Sequence, residues 1–286
     1  MSDEVARLKA QFQTELQMKD QEIRLYKQEL LKFSHQLDQV MIQISQDVDV
    51  LKKIQKVLTP TEIPTIPGFE FSRKFVYGSK VGGDYFDIFE HEDKMKFGVL
   101  LSSSSGYAMS ALFLSLILKV SHLMEAKKGL SVEKVMAQIG LELKSTANSG
   151  DQTQAFYGVI DRRDLSLNFC AVGRVNGFLQ APGQHLQILS SDSPAMGPSV
   201  APVFKSVHLD LEPKSRLLLV TEGVLDVLSV DQISQCLLNL GAQSQVHDVR
   251  NEILLQCQLK SGLDTPLRDQ TVVVIEVKDR VIKLAK

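Results

Sequence analysis

Apolar side chains recur at Ile23, Tyr26, Leu30, Phe33, Leu37, Val40 and Ile44. The steps alternate three and four, the a/d spacing of a coiled coil. The stripe then slips by one residue to Val48 and Leu51, as at a stutter or the exit from a coil. A looser run of Val5, Leu8, Phe12 and Leu16 precedes it. Residues 1–58 contain neither Gly nor Pro and are rich in Gln, Lys, Glu and Leu. The pattern predicts one long helix over 1–58. One narrow stripe on so long a helix calls for a partner, and a parallel dimeric coiled coil supplies it. Folding back on its own domain is the alternative. Thr59-Pro60 ends the helix, and Pro64 and Pro67 make 59–68 a stiff linker.

From Phe69 the period shortens. Strands are predicted at 69–75, 86–89, 96–101, 154–161, 165–172, 177–181, 203–211, 216–221 and 270–277, each bounded by Gly, Pro or Asp turn chemistry. Helices are predicted at Met109–Glu125, at 131–146 with Ser131 as N-cap, and at 230–240 and 246–257. Strands, a helix pair, more strands, more helices and a closing strand make an α+β domain over 69–278. Residues 279–286 remain as a tail.

Composition removes several functions. The formal net charge of −2 offers nothing to nucleic acid or an anionic membrane. Cys170, Cys236 and Cys257 are scattered and odd in number, which suits a reduced cytoplasmic protein without structural zinc. The polar, charged start is unlike a signal peptide. The longest apolar stretch, Ala108 to Val120, is too short to span a bilayer, so no membrane insertion is expected.

Four segments carry candidate chemistry. Val-Gly-Gly-Asp-Tyr-Phe-Asp occupies 81–87, Leu-Ser-Ser-Ser-Ser-Gly 101–106, Thr-Glu-Gly-Val 221–224, and Arg-Asp-Gln-Thr-Val-Val-Val 268–274. In this order they resemble the signature segments of PPM/PP2C-type metal-dependent protein phosphatases, in the bacterial SpoIIE-like, sigma-regulatory branch. That family reads Gly-Gly-Asp-Tyr-Tyr-Asp, Asp-Val-Ser-Gly-His-Gly, Thr-Asp-Gly and Asp-Asp-Ile-Thr. Ile66-Pro67-Gly68-Phe69 and Pro194-Ala195-Met196-Gly197 extend the resemblance over about 64–278. It implies an αββα sandwich of two antiparallel sheets flanked by helices, preceded here by the coiled-coil helix.

The resemblance also implies a reaction: hydrolysis of phosphoserine or phosphothreonine by a water bridging two Mn2+ or Mg2+ ions. Such hard cations need converging carboxylates. Asp84 matches the bridging aspartate and Asp87 the second acid beside it. Ser103 stands where the second bridging aspartate is expected, Glu222 replaces the aspartate of Thr-Asp-Gly, and Arg268 replaces the metal-holding aspartate of the last segment. Gly106, Tyr107 and Ala108 match Gly-His-Gly, and Gly173-Arg174-Val175-Asn176 resembles a Gly-His-Asn turn. Four carboxylates would give four negative charges. Asp84 and Glu222 give two, Ser103 none, and Arg268 a positive one, leaving a single net negative charge. Arg cannot be neutralised at usable pH, and an ion pair from Arg268 to Asp84 or Glu222 would take the place of the metals. Asp269 is one residue away, but in a strand it faces the other side.

A pseudophosphatase that works by protein–protein binding and needs no cofactor is therefore the leading expectation. Its partner would be a phosphoprotein or a partner-switching regulator, with homodimerisation through 1–58. An active serine/threonine phosphatase using Asp84, Glu222 and Asp269 with Mn2+ or Mg2+ is one alternative, and a coiled-coil scaffold another. The Ser102–Ser105 run reads as the degraded metal loop. His91, His122 and His247 lack metal-ligand spacing.

Overall fold

The computed structural model describes residues 2–58, 62–79, 83–105, 129–183, 186–199, 203–241 and 244–279. The expected helix at Met109–Glu125 and the Gly106–Ala108 segment lie outside the described residues. Contacts divide the chain into two compact units, Met1–Val50 and Leu51–Lys286. A single helix, α1, runs over Ser2–Leu58 without interruption at the stripe's slip. All seven stripe residues from Ile23 to Ile44 are exposed, between 48% at Ile23 and 68% at Leu30.

Among the described residues ten strands form two five-stranded sheets, antiparallel throughout. The first has the order β1 (Phe69–Val76), β10 (Gln270–Val277), β9 (Arg216–Val220), β6 (Asn176–Gln180), β7 (Gln187–Leu189). The second has the order β2 (Gly83–Glu90), β3 (Lys96–Ser104), β4 (Thr153–Asp161), β5 (Ser166–Val172), β8 (Val207–Asp210). The described helices that follow α1 are α2 (Val132–Thr146), the single turn α3 (Glu222–Leu225), α4 (Val230–Leu240) and α5 (Val246–Ser261).

Strand alternation sorts side chains into three apolar layers. Leu217 and Leu219 of β9, with Val273 and Ile275 of β10, face Phe86, Phe97, Leu101 and Phe156 of the other sheet. The intervening Leu218, Val220, Val272 and Val274 turn outward onto Ile233 and Leu237 of α4 and Val249 and Ile253 of α5. Val135, Met136, Ile139 and Leu143 of α2 cover Leu100, Tyr157 and Cys170 on the outer face of the second sheet. Near-continuous apolar runs such as 271–275 follow from burial on both faces. The result is the αββα sandwich.

Three local features depart from the sequence pattern. β2 begins at Gly83, three residues ahead of the strand expected from 86, so Asp84 lies within it, paired with Ser103. The strand expected over 203–211 is only Val207–Asp210, and β7 and α3 had no periodic signal. Ser131 holds the N-cap position of α2 but makes no side-chain cap.

One buried cation ties a sheet to the helix pair. Arg216 is 2% exposed. It donates to Glu276 Oε2 at 2.7 and 2.9 Å and to Gln180 Oε1 at 3.3 Å. It also reaches the carbonyls of Gly241, at 3.4 Å, and Ser244, which precede α5. Removing one partner strands a buried charge, whereas replacing both does not. Glu276→Ala is expected to lower stability by about 3 kcal/mol in denaturant titration. Arg216→Met/Glu276→Leu should recover most of that loss.

Candidate functional site

The antiparallel register of β2 and β3 sets Asp84 opposite Ser103. Thr221 follows β9, and Thr271 lies in β10. Asp84 Oδ2 accepts from Thr221 Oγ1 at 2.6 Å and from Thr271 Oγ1 at 2.8 Å. Ser103, opposite Asp84 in the register, adds a hydroxyl that favours the ionised carboxylate. Thr221 Oγ1 in turn accepts the Thr271 backbone N–H at 3.0 Å. A single carboxylate, 3% exposed, thus joins the two sheets through hydroxyl protons. Burial pushes the Asp84 carboxyl up to about 7, nearby Asp269 pushes the same way, and the three hydroxyls oppose both.

Glu222 opens α3 beside this junction. Its Oε2 accepts from Arg268 Nη1 and from Gln154 Nε2, both at 2.6 Å, and its Oε1 meets Arg174 Nη1 at 3.3 Å. Asp226 completes the group, with Arg174 at 3.5 Å and Arg268 Nε at 3.6 Å. Gln154 Oε1 accepts the Arg174 backbone N–H at 2.5 Å, so one amide side chain fixes both sides of the pair. Arg268 therefore pairs with Glu222 and Asp226 and with no contact to Asp84 among these ion pairs.

Asp269 is 2% exposed, and its Oδ1 accepts the Gly78 N–H at 2.8 Å. The Arg268–Asp269 backbone threads between two glycines. A Cβ at Gly223 would lie 2.0 Å from the Asp269 carbonyl oxygen, and one at Gly78 would lie 2.5 Å from the Arg268 carbonyl carbon. That close approach explains why Gly follows Glu222. Asp87 accepts from the Tyr85 hydroxyl at 3.0 Å.

The motifs point to Asp84, Ser103, Glu222, Arg268 and Asp269 but not to Gln154 or Asp226, and they give Arg174, within the segment resembling a Gly-His-Asn turn, no role of its own. Arg174 could have been found: it puts a positive charge beside the Gly173 turn. Thr221 and Thr271 were inside the quoted motifs, and their hydroxyls were the overlooked signal.

Two divalent ions do not fit these residues. Asp84 faces hydroxyl protons, Glu222 faces two guanidinium groups and an amide, and Asp269 faces a backbone amide. Among the described residues no group of three or more His, Cys, Asp or Glu converges to hold a metal.

The buried carboxyl has a pH signature. Its folded-state pKa is raised, so its contribution to stability is complete below the ordinary carboxylate pKa of about 4. That contribution is lost as pH rises to about 7. In chelator-treated buffer, stability should fall across this window, by at most about 1.4 kcal/mol per pH unit from this group. Asp84→Asn keeps an oxygen for Thr221 and Thr271 and should flatten that slope; the check is chemical denaturation at several pH values.

The family model described as "Stage II sporulation protein E (SpoIIE)" matches residues 93–278. The phosphoserine phosphatase RsbP of Bacillus subtilis (strain 168) is 23% identical over 247 residues, covering 84% of this chain but only 60% of its own length. The SiaA PP2C domain of Pseudomonas aeruginosa superposes with a TM-score of 0.69 at 16% identity, over 83% of this chain and 98% of that one. The PP2C phosphatase domain of SpoIIE from Bacillus subtilis, with part of its regulatory domain, gives 0.60 at 16% identity, over 73% and 64%. A serine/threonine phosphatase of S. agalactiae gives 0.61 at 15% identity, over 73% and 100%. With the family's segments in register on a PP2C-like αββα sandwich, this chain belongs to the stage II sporulation protein E family.

Proposed function

We propose that this chain is a PP2C-like pseudophosphatase that acts in bacterial signalling by binding a protein partner. The observation that carries this reading is the 2.6 Å ion pair between Arg268 and Glu222, at positions where the family's resemblance calls for metal-binding aspartates. The cation demanded there is supplied covalently, and Asp84 is satisfied by hydroxyls. Residues 69–278 form the phosphatase-like module, 1–58 the coil, 59–68 the linker and 279–286 the tail. The name of the relative RsbP, a phosphoserine phosphatase, favours a phosphoprotein or partner-switching regulator as the partner.

The exposed stripe of α1 supports homodimerisation through a coiled coil. We place the protein in the cytoplasm, which suits three unpaired cysteines. Among the described residues no helix is long and apolar enough to cross a membrane.

Calorimetric titration with Mn2+ and Mg2+ tests the reading. Wild type should give no binding heat at micromolar metal and no turnover of phosphoserine peptides, while Ser103→Asp/Arg268→Asp should bind. Micromolar binding or turnover by wild type, abolished by Asp84→Ala, would make the chain an active phosphatase instead. Sedimentation equilibrium tests the coil. Wild type should be dimeric and Leu30→Asp/Leu37→Asp monomeric, with thermal unfolding of the β-sandwich unchanged.

A further inference from the structure

The apolar stripe of α1 has two ways to continue past Ile44, and the helix runs unbroken through both. Keeping the three–four alternation of Ile23 to Ile44 carries the seam through Asp47, Leu51, Ile54 and Leu58. Repeating the four-residue step from Val40 to Ile44, as a stutter does, carries it through Val48, Leu51, Gln55 and Leu58. Leu51 and Leu58 belong to both registers. Each register therefore holds three apolar residues and one polar one, Asp47 in the first and Gln55 in the second.

The flanking positions balance as well. In the first register Val48, Val50 and Val57 border the seam and add apolar contact, but each Asp47 meets its own copy inside it. In the second register Asp47 moves to the g position, five residues ahead of Lys52 at e. That is the spacing at which g of one helix meets e of the other in a parallel pair, so Asp47 gains the partner's Lys52. The helix backbone suits both registers equally. Residues 44–58 contain no Gly or Pro, and Ile44, Asp47 and Ile54 are all exposed, open to entering or leaving a seam.

We propose that residues 44–58 form a two-state element in the homodimer, alternating between these two registers. The proposal rests on the homodimer proposed above, with its helices parallel and in register. Passing from one state to the other turns each helix about its own axis by roughly 50°, the angle between a and d positions at 3.5 residues per turn. Asp47 decides between them, because one register places it in the seam and the other in an ion pair. Two registers of nearly equal content are what a partner favouring one of them can shift. The element is also the last part of the coil before the 59–68 linker in the chain.

Cysteine cross-linking of the full chain under mild oxidation reads the register. Leu37→Cys lies in the seam of both registers and should cross-link rapidly. Lys53→Cys lies outside both and should react at least about tenfold more slowly, as should the chain with its native cysteines alone. Ile54→Cys marks the first register and Gln55→Cys the second, and both should react at least about tenfold faster than Lys53→Cys. Asp47→Leu and Lys52→Glu should each raise the ratio of the Ile54→Cys rate to the Gln55→Cys rate, Asp47→Leu by about tenfold. Val50→Gln/Val57→Gln should lower it. Either Ile54→Cys or Gln55→Cys reacting no faster than Lys53→Cys would overturn the proposal, as would a ratio unmoved by Asp47→Leu. Absence of cross-linking at Leu37→Cys would remove the parallel coil and the proposal with it, and sedimentation equilibrium then shows whether the homodimer itself has failed.

Discussion

A buried carboxylate at the junction of two sheets must be answered by something positive, and Asp84 is that carboxylate. Its position is dictated by the β2–β3 register and by the need to close the sandwich at one end. In a metal-dependent phosphatase, divalent cations neutralise such a group. Here Thr221 and Thr271, from the opposite sheet, each present a hydroxyl proton within 2.8 Å. Hydroxyls stabilise a carboxylate far less than cations do, which is why burial still dominates and raises its pKa. The junction acts as a structural clamp because two threonine hydroxyls from the other sheet converge on Asp84 Oδ2.

The second charge problem is solved separately. Glu222 is brought beside the junction by the turn that follows β9, and its carboxylate, 13% exposed, calls for a cation. Arg268 and Arg174 both provide one, and Asp226 neutralises the excess. With about half of the Arg268 and Arg174 side chains exposed, each contact is individually weak. Their combined effect is geometric: the guanidinium of Arg268 occupies the approach to Glu222. Arg268 can occupy that position because its own backbone is pinned between Gly78 and Gly223.

Most of the fold was legible because period-two patterning and turn residues are local signals. The helix over 1–58, the strands of the sandwich and the α4–α5 pair all follow from spacing. The short β7 and the single turn α3 did not, since three or four residues carry no periodicity. At the site, the four motif segments located Asp84, Ser103, Glu222 and Arg268 without coordinates. Gln154 was invisible because it reaches Glu222 across 68 residues, and Asp226, one helical turn past Glu222, because it joins the group only through Arg174 and Arg268. Strand alternation does not govern Asp269, because β10 begins only at Gln270. Asp269 stays near enough to Asp84 to push that carboxyl upward, and its Oδ1 is held by the Gly78 N–H, 191 residues distant.

The substitutions are coupled rather than independent losses. On the proposed reading Ser103 spares Asp84 a further buried negative neighbour beside Asp269, which already pushes its carboxyl upward. Once Arg268 is present, a metal beside Glu222 would face a fixed guanidinium at ion-pair distance. Restoring only Ser103→Asp would add an uncompensated buried charge, and restoring only Arg268→Asp would set three acids, with Glu222 and Asp226, around Arg174 alone. Each single reversal is therefore worse electrostatically than the present state. On the proposed reading the arrangement is self-consistent: Asp84 is answered by hydroxyls, Asp269 by a backbone amide, and Glu222 and Asp226 by guanidinium groups.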